Sequence, residues 1–304
     1  MKRFSLVLLL AAASSGLLAQ SDTINFTTPP SEFTFNHTLS KLYTVQTARV
    51  LNPLDVSITL GGAFGFERDN GFLGSVAFGL GGYGDIEMAT SSLMASLFSR
   101  DENYGNIALK GKLYTADDRS WQLSAGMRSN SSWEGSSSDE EAIRTSAEDL
   151  YLLGLRYVDY KWRMTSLYIS LTYSKYKDVD LHGGLTITDV RYKDAQLYFA
   201  NNIWNYNPIT VKQNMVNFFL GLDRRLNERT TMIAEVLSTP VIAVDAKNSK
   251  FMVERRYSGS VGLRLFVNRF LVLDTALRYQ DDFSGIADTQ VRVGIMAIWN
   301  AAGN

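Results

Sequence analysis

The run Val56-Ser57-Ile58-Thr59-Leu60-Gly61-Gly62-Ala63-Phe64-Gly65-Phe66 changes character at every residue. Val56, Ile58, Leu60, Phe64 and Phe66 are bulky and apolar; Ser57, Thr59, Gly61, Ala63 and Gly65 are small or polar. Successive side chains of a β-strand point to opposite faces, so this run predicts a strand with one oily face and one small, polar face.

The same period of two recurs along the chain. Ile107, Leu109 and Leu113 alternate with Lys110, Lys112 and Tyr114; Leu167, Ile169, Leu171 and Tyr173 alternate with Ser166, Tyr168, Ser170 and Thr172. Near the C-terminus, Val261, Leu263, Leu265 and Val267 alternate with Ser260, Gly262 and Arg264, and Val291, Val293, Ile295 and Trp299 with Gln290, Arg292 and Gly294. A soluble sandwich also alternates, burying the oily face against a second sheet. Two features favour a membrane barrel instead. The segments run about 9–11 residues, enough to cross hydrocarbon at a tilt. Aromatics such as Trp121, Tyr151, Tyr157, Tyr173, Tyr257, Tyr279 and Trp299 sit at their ends, as in interfacial girdles.

Export is expected as well. Lys2 and Arg3 precede an apolar run, Phe4 to Ala13, and small residues lead to Ala19. This is the layout of a secretory signal peptide, predicted over residues 1–19 and too short to anchor as a helix. With no cysteine among its 304 residues, the chain has neither a lipoprotein anchor nor a disulfide. Thirty basic and 31 acidic residues nearly cancel, so nothing points to nucleic acid. Outer-membrane lipid and lipopolysaccharide are the expected surroundings, in a Gram-negative-type cell envelope, with a small polar solute or a periplasmic envelope partner as further candidates.

In bacterial barrels short turns alternate with longer outer loops. Glu67–Phe72, Ser99–Asn106, Ser129–Glu148, Tyr176–Gly184, Ser238–Arg256 and Asp281–Thr289 read as loops. Gly82–Gly84, Thr115–Ser120, Asp159–Arg163, Lys193-Asp194, Asn227–Thr230 and Asn268-Arg269 read as short turns. The fold class predicted is therefore all-β: a single antiparallel transmembrane β-barrel over residues 54–304, of about 14 strands, with 12 as the alternative because Leu185–Tyr192 alternates poorly. Gln20 to Pro53, with its Thr, Asn, Ser and Pro29-Pro30, reads as an extended periplasmic or lumen-filling segment.

From Leu54 onward the chain resembles the bacterial outer-membrane β-barrel superfamily, porin-like proteins included. That resemblance implies an assembly signal in the last strand. Such chains usually finish on an aromatic, whereas here Asn300 to Asn304 follow Trp299. The stretch Thr47-Ala48-Arg49-Val50-Leu51 resembles part of barrels associated with exopolysaccharide export, which implies a role in envelope or exopolysaccharide assembly as an alternative to transport.

Charges facing lipid near the midplane cost roughly 2–4 kcal/mol. Lys110, Lys112, Arg128, Arg156, Arg224, Arg264, Arg278, Arg292, Glu87, Asp223, Glu235 and Asp274 are therefore expected to face the lumen. Such charges can brace the interior as ion pairs or set the selectivity of a wet path for anionic or zwitterionic solutes. The inner residues of the first two strands (Ser57, Thr59, Gly61, Ala63, Gly65, Ser75, Ala77, Gly79 and Gly81) are all small. They leave room that residues 20–53 or a solute would fill.

Catalysis and cofactors find little support. Gly79, Gly81 and Gly84 have dinucleotide-loop spacing but lie among strands, where a hairpin turn explains them better. His182, placed in an outer loop beside Asp178 and Asp180, is the one candidate base for a rim hydrolase, yet no Gly-x-Ser-x-Gly elbow is present. His37 lies in the N-terminal segment. With no Cys and no clustered His, neither metal nor cofactor is expected. A narrow channel or transport-related barrel for small polar solutes is the leading expectation, and a non-conducting barrel assisting envelope assembly is its rival.

Overall fold

The computed structural model describes residues 35–64, 71–90, 104–132, 155–199, 202–203, 209–245, 250–281 and 289–303. The expected signal peptide, residues 20–34 and most of the Ser129–Glu148 loop lie outside them.

The strands are β1 Asp55–Phe64, β2 Gly71–Leu80, β3 Gly84–Thr90, β4 Tyr104–Thr115, β5 Trp121–Ser132, β6 Leu155–Tyr176 and β7 Val179–Phe199. A two-residue stub, β8 Asn202–Ile203, pairs with the end of β7. Then come β9 Ile209–Asn227, β10 Thr230–Asp245, β11 Lys250–Phe266, β12 Leu271–Gln280 and β13 Gln290–Asn300. Every neighbour is antiparallel. β1 pairs with β13 from Asp55↔Asn300 to Phe64↔Val291, and β7 lies between β6 and β9. The sheet thus closes on itself as a 12-strand barrel.

The difference from 14 has a local cause. Asp159–Arg163 and Lys193-Asp194 are not turns. The first sits in β6 and the second in β7, and each coincides with an irregularity in the ladder, between Asp159 and Lys161 and between Tyr192 and Ala195. A β-bulge breaks the alternation of a strand without ending it. Two pairs of expected strands therefore fuse into β6 and β7, of 22 and 21 residues. At about 3.3 Å per residue each is roughly 70 Å long, far more than a bilayer crossing requires. Conversely, the expected Tyr176–Gly184 loop is a two-residue turn, Lys177-Asp178, with Asp178 at φ +60°. The Ser238–Arg256 loop is largely strand, because β10 runs to Asp245 and β11 starts at Lys250.

The oily faces point outward. Ile107, Leu109, Leu167, Ile169, Leu185, Ile187, Leu220, Leu277 and Ile295 are all substantially exposed, Leu167 at 60%. A soluble monomer does not carry a continuous apolar band of this kind, whereas a barrel in lipid requires one. Around the short-turn end stand Tyr83, Tyr114, Trp121, Tyr176 and Phe270. Trp121 and Tyr173 pack at 4.2 Å between centroids, and Arg269 lies over the Phe270 ring. These mark one membrane interface. In the β4–β5 turn at this end, the Ser120 hydroxyl and N–H both donate to Asp118 and hold its carboxyl below the ordinary range.

Residues 35–53 precede the barrel, and much of this stretch is enclosed by it. Leu42, Val45, Ala48 and Leu51 are almost wholly buried. Leu42, Tyr43 and Val45 form a core with Tyr168 of β6, Phe219 of β9, Ile233 of β10 and Ala276 of β12. Leu51 packs with Ala77 and Ile298, joined by Phe35 and Leu39. The Lys41↔Gln46 bridge and the Leu42 N–H to Val45 carbonyl bond fold Lys41–Gln46 into a tight turn. Leu54, at φ +62°, then swings the chain into β1.

Candidate functional site

The small inner wall read from β1 and β2 makes space for this segment. Ala77 is buried against Leu51, and a Cβ on Gly79 would strike the Asn52 carbonyl oxygen. Across the lumen, a Cβ on Gly221 would run into Leu42 Cδ1 and lie 3.3 Å from Val45 Cγ1. Gly221→Leu is therefore expected to compete with Leu42 for one slot. The expected cost is about 1–3 kcal/mol of overpacking, read as a lower midpoint of denaturant unfolding.

Polar groups tie the segment to the wall on all sides. Glu235, buried on β10, accepts the Thr44 and Val45 N–H groups on Oε2 at 2.9 and 3.1 Å. Arg292 of β13 reaches the Tyr43 carbonyl at 2.8 Å and pairs with Glu235 at 3.6 Å. Arg264 of β11 is held by both oxygens of Asp274 at 2.7 and 2.8 Å and donates to the Lys41 and Leu42 carbonyls. Fully buried Lys110 sits 3.5 Å from Asp85 and donates to the Ser40 carbonyl at 2.7 Å. Lys41 pairs with Glu87, and Arg49 with Asp180 and Asp223. Tyr43 lies beneath the guanidinium groups of both Arg264 and Arg292. Buried charges are tolerable when paired and hydrogen-bonded in this way.

Of the residues read from the sequence as lumen-facing, Lys110, Glu87, Asp223, Glu235, Arg264, Asp274 and Arg292 converge on this segment. Arg128 lies near Glu87 and Tyr168, away from the short turns. Arg278 is on the inner face of β12 with buried Ala276 and donates to Gln280 and Gln290. Lys112 shares the register of buried Ser124 but is exposed at the turn-side rim. The Arg156 side chain lies outside the described residues. Arg224 corrects its expectation. It follows Asp223 directly and pairs with Met232 and Val179, so it takes the outer face while Asp223 points to His182. Neighbouring strand residues cannot share a face.

His182 is likewise not in an outer loop. It sits on β7 with its side chain wholly buried. Nδ1 is 2.9 Å from Thr172 Oγ1, and Nε2 is 3.3 Å from Asp223. Thr172 Oγ1 in turn accepts the Ala48 N–H at 2.9 Å. Nε2 donates to the Asp223 carboxylate, and Nδ1 shares a hydrogen bond with the Thr172 hydroxyl. The trio resembles a nucleophile–base–acid relay in outline, but the segment covers its hydroxyl, and its geometry serves to hold Ala48. Asp178 lies in the turn and Asp180 pairs with Arg49, so neither is a partner of His182. Gly81 and Gly82, at φ +64° and +77°, form the β2–β3 hairpin turn rather than a nucleotide loop. Among the described residues no group of acidic or histidine side chains is arranged to hold a metal.

Sequence reasoning missed Asp85, Lys41 and Arg49. Asp85 was legible as the i−2 neighbour of Glu87 on β3; Lys41 and Arg49 lie where no periodicity exists. A cavity of about 530 Å³ remains at the short-turn end, lined by Phe35, His37, Arg49, Asp180 and Arg225 among others.

No protein-family model and no curated protein matches the chain. Among solved structures, a NanC porin is similar at 10% identity and TM-score 0.48, covering 80% of this chain and 98% of its own. A KdgM porin in complex with disordered oligogalacturonate follows at 7% and 0.42, with the same coverage. The toluene transporter TbuX of Ralstonia pickettii is similar at 11% and 0.38, covering 81% and 91%. With its closed antiparallel ring of 12 strands, apolar exterior and ion-paired interior, the chain has the fold of an all-β antiparallel barrel.

Proposed function

We propose that this protein is a narrow outer-membrane channel for small polar solutes, closed at rest by residues 35–53, and not an enzyme. The observation that carries the reading is the polarity of the contact between segment and wall. A permanent plug gains most from apolar packing, because burying ion pairs costs desolvation that their attraction often only offsets. Here Glu235, Arg264, Arg292, Lys110 and Asp85 all address the segment, and each can be hydrated once it leaves. Away from the short turns the wall keeps buried polar atoms without a protein partner, including Asn217 Oδ1 and Nδ2 and Arg128 Nε. Such groups suit a wet lumen. Positive and negative wall groups are nearly matched, which suits zwitterionic or uncharged polar solutes over strong ions.

Planar-bilayer recording tests this. The full-length protein is expected to be almost silent. Deletion of residues 21–50 is expected to raise single-channel conductance by about tenfold or more, with weak ion selectivity. The filled lumen is also what the rival reading requires, a non-conducting barrel that assists envelope or exopolysaccharide assembly. Unchanged conductance after the deletion would favour the rival.

A further inference from the structure

The wall recognises the main chain of the segment more than its side chains. Four N–H groups of residues 44–51 are taken by wall side chains: Thr44 and Val45 by Glu235, Ala48 by Thr172 and Leu51 by Asp85. Five carbonyls are taken as well. Lys41 and Leu42 are bound by Arg264, Tyr43 by Arg292, and Ser40 and Thr47 by Lys110. A carboxylate that accepts two consecutive N–H groups, facing a guanidinium that donates to two consecutive carbonyls, fits any peptide bent into a turn. The charged side chains of the segment also pair with the wall, Lys41 with Glu87 and Arg49 with Asp180 and Asp223, but both lie outside Leu42–Thr47. Leu42 and Val45 meet Gly221, where the absence of a side chain leaves a generic apolar slot.

We infer that the lumen wall is a peptide-binding site, that residues 40–51 are its resident occupant, and that the solute it takes when they leave is a short peptide. This rests on the channel reading above and names its substrate class. Charged groups hydrogen-bonded to amides discriminate by the presence of N–H and C=O groups at peptide spacing, which a sugar of equal size lacks. An outgoing segment and an incoming peptide would then compete for one set of bonds, so peptide would hold the channel open by occupying the place of the segment.

The test uses the full chain carrying Leu42→Asp to drive the segment out, with Val45→Asp as a second route should the first not refold. Three probes are added: the hexapeptide of Leu42–Thr47, a scrambled peptide of the same composition, and maltotriose. Block of single-channel current is recorded in bilayers, and binding by calorimetry in detergent. Both peptides are expected to bind within about threefold of each other, and about tenfold or more tighter than maltotriose. Glu235→Gln combined with Arg264→Lys should erase that preference. Binding of the unscrambled peptide alone would mark a plug-specific site and overturn the inference, as would equal binding of peptide and sugar or no binding at all. Peptide binding by a variant that never conducts would sink the channel and keep the site; conductance without peptide preference would do the reverse.

Discussion

Arg264→Ala is expected to destabilise the protein by about 3–5 kcal/mol, among the largest effects of any single substitution in it. The guanidinium is buried, holds Asp274 through both carboxylate oxygens, and satisfies the Lys41 and Leu42 carbonyls. Alanine leaves a carboxylate on the inner wall without its counter-charge and two main-chain oxygens without donors. The loss should appear as a lower urea midpoint for protein refolded in lipid. The double variant Arg264→Met with Asp274→Leu should recover much of it, because removing both charges removes the desolvation penalty along with the attraction. A single variant as stable as wild type would show that the pair is hydrated rather than enclosed.

Leu42→Asp is expected to act on the segment and spare the sheet. Leu42 lies in the core formed with Tyr43, Val45, Phe219 and Ile233. Truncating such a residue costs about 2–5 kcal/mol, and burying a carboxylate in its place costs several more. No ladder pairing of the barrel involves residues 35–53, so the strands have no reason to open. The segment should leave, exposing Lys41 and Arg49. Trypsin should then cleave after both residues at least ten times faster than in wild type, a shift of about 1.4 kcal/mol or more in opening. Far-ultraviolet dichroism should keep its β signature. Cleavage unchanged from wild type would contradict the placement of Leu42.

Most of the fold could be read from the sequence because a half-buried strand records its two environments at alternate positions. Ile58 and Leu60 against Ser57 and Thr59 state which side meets lipid. The strand count was less legible for a related reason. In β6 the run Asp159–Arg163 carries three charges, alternating with Tyr160 and Trp162, and charged runs at the end of an oily segment look like turns. Nothing local distinguishes a turn from a strand that continues into water with a bulge. Arg224 failed differently, because two adjacent charges beside a bulge between Thr230 and Thr231 cannot be assigned faces without knowing the register. The room for the segment was visible in Gly79 and its small neighbours. What filled that room was not, since the residues from Ser40 to Pro53 have no periodicity and are placed by hydrogen bonds to wall residues 34 to 249 positions away along the chain.

The lumen placement of that segment is the claim on which the rest depends, and a chain without cysteine allows it to be tested directly. Val45→Cys and Gly221→Cys are introduced together and the protein is oxidised in intact outer membranes. A Cβ at position 221 lies 3.3 Å from Val45 Cγ1, within reach of a disulfide. Near-complete cross-linking is expected before any extraction, seen as a shift in gel mobility reversed by reductant. Two free thiols that a bulky water-soluble maleimide labels at once would contradict it.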